Sequence, residues 1–302
     1  MKDIIESIKE LKNKRDAVIL AHYYVNDSVQ AIADYVGDSY YLSKLAVETP
    51  HETVLLCGVR FMGESVKILN PNKTVIMPDL SADCPMAHMV NEEKIKQVKN
   101  KFEDLAVVCY INSTAKIKAL SNVCVTSSNA LQIVKSLPQK NIFFIPDNNL
   151  GRYIAHLLPE KNFIFNEGFC HVHTKMNKDN VGKLKKLHPE AKVLVHPECT
   201  MDVIELADYV GSTSGIINYA KKNSDNSFIV CTEHGINYEL KKENPEKQFY
   251  FTEEIPTCID MKKITLKNIE EALKTMENKI ELDEDLRIKA EKALKKMHEL
   301  AE

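Results

Sequence analysis

The stretch VLVHPECTMDVIELADYVGSTSG, residues 193–215, holds the pattern from which the architecture follows. Its opening apolar run reads as a buried strand that delivers His196, Pro197 and Glu198 at its end. A helical segment follows, and Asp208-Tyr209-Val210-Gly211-Ser212-Thr213 then reads as a second short strand entering a helix N-terminus. Strand C-termini and helix N-termini are where α/β proteins hold ligands, because free N–H groups and the helix dipole converge there.

Sliding the chain against itself finds this stretch three times. His22 and Tyr24 end VILAHYY; Tyr110 and Asn112, 88 residues on, end VVCYINS; His196 and Glu198 follow after 86 more. The same offsets carry Asp34 to Asn122 to Asp208, and Ser39 to Ser127 to Thr213. The runs VLLCG, IFFIP and FIVCT keep step, as do KTVIMP, NFIFNE and KQFYFT. Each copy closes on a cysteine, Cys84, Cys170 and Cys258, spaced by 86 and 88. A polar pair, a hydroxyl and a terminal cysteine in common register mark a triplicated α/β unit.

Four short strands alternating with helices in each unit imply parallel sheets, and solidly apolar strands imply burial on both faces. The expected fold is α/β, with three pseudo-threefold-related αβα sandwich domains of short parallel sheets and an active site at their central junction. The units are placed at 1–88, 89–174 and 175–262, with C-terminal helices in 263–302 packing back on the core. Expected helices include 28–35, 127–136, 265–277 and 283–301. Pseudo-threefold symmetry would bring His22, Tyr24, Tyr110, Asn112, His196 and Glu198 into one cavity ringed by three helix N-termini.

Composition narrows the function. With 302 residues, 44% hydrophobic, 27% charged and a net charge of −3, the chain reads as soluble and globular, with no basic excess for nucleic acid or anionic membrane. The opening MKDIIESIKELKNKRD is charged at helical spacing, unlike a secretory signal. No apolar run approaches the roughly 20 residues of a membrane span. Eight cysteines without a secretory segment point to a reducing cytoplasm, where clustered thiols favour metals or catalysis.

Cys84, Cys170 and Cys258 lie in irregular segments, and pairing would leave one thiol over. Three thiolates on one axis make a metal site: structural zinc takes four ligands, whereas an iron–sulfur cluster on three cysteines leaves one iron open. Cys57, Cys109, Cys124, Cys199 and Cys231 lie in or beside strands and read as core thiols. Ser39, Ser127, Ser212 and Thr213 are each ordinary N-cap candidates, but converging helix starts form an anion trap and imply an anionic substrate. His22, His196 and Glu198 sit where protons can be moved. His173, three after Cys170, reads equally as metal ligand or acid–base group.

The motifs AHYY at 21–24, YVGDS at 35–39, GVRFMGESVKILNP at 58–71, SADCPMA at 81–87, YINST at 110–114, TSSNA at 126–130, PDNNLG at 146–151, CHVH at 170–173, HPEC at 196–199, YVGST at 209–213 and CIDMKKIT at 258–265 resemble quinolinate synthase from end to end. The resemblance implies one 4Fe–4S cluster on Cys84, Cys170 and Cys258, its fourth iron acting as a Lewis acid. It implies condensation of iminoaspartate (iminosuccinate) with dihydroxyacetone phosphate to quinolinate, losing phosphate and water, for NAD synthesis, with functional coupling to an iminoaspartate-producing enzyme. By the same resemblance His22, Ser39, Tyr110, Asn112, Ser127, His196 and Thr213 hold substrate, beside Ser212. Glu198 is the general base, and Tyr24, His173 and Thr213 form a proton relay. A C-x-x-C-x-x-C run found in some members is absent at Cys258-Ile259-Asp260-Met261, so thiol–disulfide regulation is not expected there. Two rivals are a metabolite sensor, which needs neither base nor cysteines, and a zinc-dependent lyase on the same scaffold.

Overall fold

In the computed structural model, which describes residues 2–301, the three repeats become three four-stranded parallel sheets with one topology. The first holds β1 (Ala17–His22), β2 (Tyr35–Gly37), β3 (Thr53–Cys57) and β4 (Thr74–Ile76) in the order β2-β1-β3-β4. The second holds β5 (Leu105–Tyr110), β6 (Val123–Val125), β7 (Asn141–Ile145) and β8 (Asn162–Phe165), ordered β6-β5-β7-β8. The third holds β9 (Lys192–Val195), β10 (Tyr209–Val210), β11 (Ser227–Cys231) and β12 (Gln248–Tyr250), ordered β10-β9-β11-β12.

Two polar devices repeat with the sheets and explain residues that keep register in the sequence. Asp34, Asn122 and Asp208 each precede the short edge strand. Their side-chain oxygens accept the N–H of Ile19, Val107 and Val193, all at 2.8 Å. Their own N–H groups donate back to the carbonyls of those three residues at 2.9–3.0 Å, so each pair of strands is tied by a reciprocal clasp. Lys73, Lys161 and Lys247 stand just before the last strand of each sheet. Each ammonium donates to two carbonyls at the end of the preceding repeat helix: Ala46 and Thr49, Leu137 and Gln139, Ala220 and Asn223. These are carbonyls that no helical N–H reaches, and a cation suits that end of the dipole.

The strands alternate across their two buried faces as a sheet between helix layers requires. In the third unit Val193, Val195, Ile229 and Cys231 pack on one side and Leu194, Phe228 and Val230 on the other, forming two separate apolar clusters. The first two units share one continuous core with the C-terminal helices. Leu266–Thr275 packs on Lys2–Lys14, and the Arg15 guanidinium donates to the carbonyls of Leu273 at 3.0 Å and Lys274 at 2.7 Å. Glu284–Ala301 lies against Ala115–Ala119 and β6 on one side and Arg60–Leu69 on the other, bridging the first two units.

Two expected helices differ in extent. The segment set at 28–35 is helical only over Asp27–Gln30, because Asp34 must reach Ile19 as an extended residue. The helix set at 127–136 runs over Ala130–Ser136. Here the Asn129 side chain accepts the Thr126 N–H at 2.7 Å, and this turn competes with helix initiation. Cys57, Cys109, Cys124, Cys199 and Cys231 are fully buried, as core thiols should be.

Candidate active site

The three central strands end at a common cavity. Each delivers its strand-end pair: His22 and Tyr24 after β1, Tyr110 and Asn112 after β5, His196 and Glu198 after β9. Ser39, Ser127, His173 and Thr213 line the same space, and so do Cys84, Cys170 and Cys258, one from each repeat. Ser212 does not. Its hydroxyl accepts the Gly215 N–H at 3.1 Å, capping the helix Thr213–Lys222 and thereby setting Thr213 at the wall. At the corresponding place in the first unit Asp38 is the cap, accepting the Tyr41 N–H at 3.0 Å and leaving Ser39 free of that task.

His22 and His196 are held by the same local device. The N–H two residues on, from Tyr24 and Glu198, donates to Nδ1 at 3.2 and 3.3 Å. Nδ1 is therefore the acceptor, and the neutral ring carries its proton on Nε2. Burial supports that state: it pushes both pKa values down to about 3, with His173 adding to the effect at His196.

Glu198 is the electrostatic centre. Its Oε1 accepts the Tyr110 hydroxyl at 2.5 Å, and its Oε2 lies 2.8 Å from His173 Nδ1. Burial alone would raise this carboxyl, but the His173 imidazole, His196 and the Tyr110 hydrogen bond outweigh it and hold the group well below the usual carboxylate range. Burial and the Glu198 charge push Tyr110 well above the ordinary phenol value, so it stays a donor. The His173 and His196 rings stack at 4.6 Å.

A residue the sequence reading passed over completes the network. Thr232, fully buried at the end of β11, places its Oγ1 2.9 Å from His173 Nε2 and 2.8 Å from the Tyr24 hydroxyl. Tyr24 continues to Thr213 Oγ1 at 2.7 Å. Hydrogen bonds thus run unbroken from Thr213 through Tyr24, Thr232, His173 and Glu198 to Tyr110, touching all three units. The available signal was the last letter of FIVCT, at the C-terminal end of a repeat strand.

Cys84, Cys170 and Cys258 are unpaired and partly exposed to the cavity. Burial raises all three thiols, Cys258 to about 11 and the others further; the Cys258 charge adds to this at Cys84, and the Cys84 charge at Cys170. Such a set is neutral when bare and needs a cationic group to become a set of thiolates. Glu233 accepts the Cys258 N–H at 3.1 Å and pairs with Lys262 at 3.3 Å, which fixes the third cysteine to the end of β11.

A family profile described as "Quinolinate synthetase A protein" matches residues 6–299. The chain belongs to that family. It is 50% identical to a quinolinate synthase of Clostridioides difficile over 100% of this chain and 99% of the relative. One from Fusobacterium nucleatum is 51% identical over 98% and 99%, and one from Caldicellulosiruptor bescii 49% over 97% of each. The family is one of enzymes, and this chain is one of them. No helix among the described residues is long and apolar enough to cross a membrane.

Proposed function

We propose that this enzyme condenses iminoaspartate (iminosuccinate) with dihydroxyacetone phosphate to quinolinate, losing phosphate and water, in de novo NAD biosynthesis. The observation that carries the reading is the convergence of one cysteine from each unit on the cavity that holds the Glu198–His173 pair. Cys84, Cys170 and Cys258 fit one 4Fe–4S cluster: three unpaired thiols from three directions, all held neutral by burial when bare and so suited to a cationic group. When bound, the cluster supplies a Lewis acid that polarises a substrate oxygen or nitrogen.

The chain's own groups account for the rest. Both substrates are anions. The hydroxyls of Ser39, Ser127 and Thr213, the Asn112 amide and the Nε2–H groups of neutral His22 and His196 supply donors for carboxylate and phosphate. Tyr110 orients Glu198, which is ionised at neutral pH and takes a proton as general base. His173 donates its Nδ1–H to that carboxylate and accepts at Nε2, so the line through Thr232 to Tyr24 and Thr213 moves protons to the other side of the cavity. Closure between three units keeps water off an imine substrate that it would hydrolyse. Free cysteines suit a cytoplasmic setting, and a labile imine suits functional coupling to the enzyme that produces it.

Anaerobic purification with iron and sulfide analysis tests the reading, followed by a quinolinate assay. About four irons and four sulfides per chain and quinolinate formation are expected. No cluster and no quinolinate after chelation of other metals and anaerobic reconstitution with iron and sulfide would overturn it.

A further inference from the structure

The geometry points to a second, mononuclear metal mode of this cavity: without the cluster, Cys170, His173 and Glu198 bind one zinc-like divalent cation. Their ligand atoms all lie within 4.8 Å of one another. His173 Nδ1 is 2.8 Å from Glu198 Oε2 and 3.2 Å from Cys170 Sγ. A tetrahedral zinc ion needs N···O and N···S edges of about 3.3 and 3.6 Å, given zinc–ligand bonds of roughly 2.0–2.3 Å. These two pairs therefore have to open by only about half an ångström. His173 is 2% exposed and Glu198 3%, so the donors are already desolvated and oriented.

Outer contacts are in place as well. A metal on Nδ1 leaves the imidazole proton on Nε2, where Thr232 Oγ1 stands 2.9 Å away to accept it. The second Glu198 oxygen accepts the Tyr110 hydroxyl. One cysteine, one histidine and one carboxylate leave a fourth position that faces the cavity, the pattern of an open rather than a closed zinc site. Because the ion uses Cys170, it and the cluster exclude each other; this exclusion, unlike the binding itself, rests on the function proposed above. The enzyme is thus open to capture by zinc before its cluster is built.

The test is anaerobic titration of the reduced, metal-free, full-length chain with Co²⁺, with no substrate present. One Co²⁺ per chain is expected, with a sulfur-to-cobalt charge-transfer band and the visible bands of four-coordinate cobalt. Cys170→Ser should abolish the charge-transfer band, and the near-isosteric Glu198→Gln should weaken binding tenfold or more, while Cys84→Ser and Cys258→Ser keep both band and affinity. Unchanged binding in Glu198→Gln, or loss in Cys84→Ser, overturns the assignment. Chain preloaded with Zn²⁺ should take up no cluster from iron and sulfide until the zinc is chelated; full uptake with zinc retained overturns the exclusion. None of these readouts depends on turnover, so an enzyme that made no quinolinate would leave the cobalt result standing.

Discussion

Replacing Thr232 by valine isolates the bridge between Tyr24 and His173. Valine has the shape of threonine, so no cavity opens at this fully buried site. Two hydrogen bonds are lost, at 2.8 Å to Tyr24 and 2.9 Å to His173. Their consequences differ. Tyr24 keeps its bond to Thr213 at 2.7 Å, whereas His173 Nε2 loses the hydroxyl that satisfies it. One buried, unsatisfied ring nitrogen costs about 1–3 kcal/mol. A break in a proton path costs about a hundredfold or more in kcat, while groups that only bind substrate hold KM near its starting value. Denaturant midpoints and steady-state quinolinate formation measure the two effects, and Thr232→Ser should recover both. Stability and kcat within twofold of the parent in Thr232→Val would refute the bridge.

Glu198→Gln removes the base while keeping an oxygen for the Tyr110 hydroxyl; kcat should fall by about 10²–10⁴ with iron content unchanged, and a fully active variant would end the base assignment. Cys170→Ser should purify colourless and inactive, and normal iron and sulfide content in it would contradict the cluster ligand set. Acid should loosen the fold through His22 and His196. Both sit at about 3 in the folded chain against an ordinary 6.5, so the unfolded chain binds more protons between those values. Stability from them is complete above pH 6.5 and is lost as pH falls toward 3, by about 1.4 kcal/mol per pH unit for each ring. Denaturant unfolding of the cluster-free chain at pH 7 and pH 5 reads this, and greater stability at pH 5 would show the sign to be wrong.

Much of this was legible from repetition. Strand-end residues in register had to meet once the three sheets shared a topology, and His22, Tyr24, Tyr110, Asn112, His196 and Glu198 do line one cavity. Asp34, Asn122 and Asp208 were visible as a register, but that they clasp neighbouring strands depends on side-chain direction, which spacing does not contain. Thr232 was hidden because a threonine ending an apolar strand looks like any β-former. The late start at Ala130 was hidden too, since Asn129 reads equally as a helix residue or as a competitor for the backbone. The shared core of the first two units arises from where Glu284–Ala301 settles, and an amphipathic pattern does not name its partner.

The threefold frame has a consequence for how such a site could arise. Three separate copies of one unit, closed around an axis, must present the same side chain three times at every level of the cavity. Three glutamates repel one another, and three histidines offer no base beside an acid. A single chain that carries the three copies in covalent succession escapes that rule. Each copy can diverge alone, so one Glu198 faces one His173 with a tyrosine at its other oxygen. The clasps and lysine caps kept their likeness because they hold the frame, and the strand ends lost theirs because asymmetry is what proton transfer between unlike groups requires.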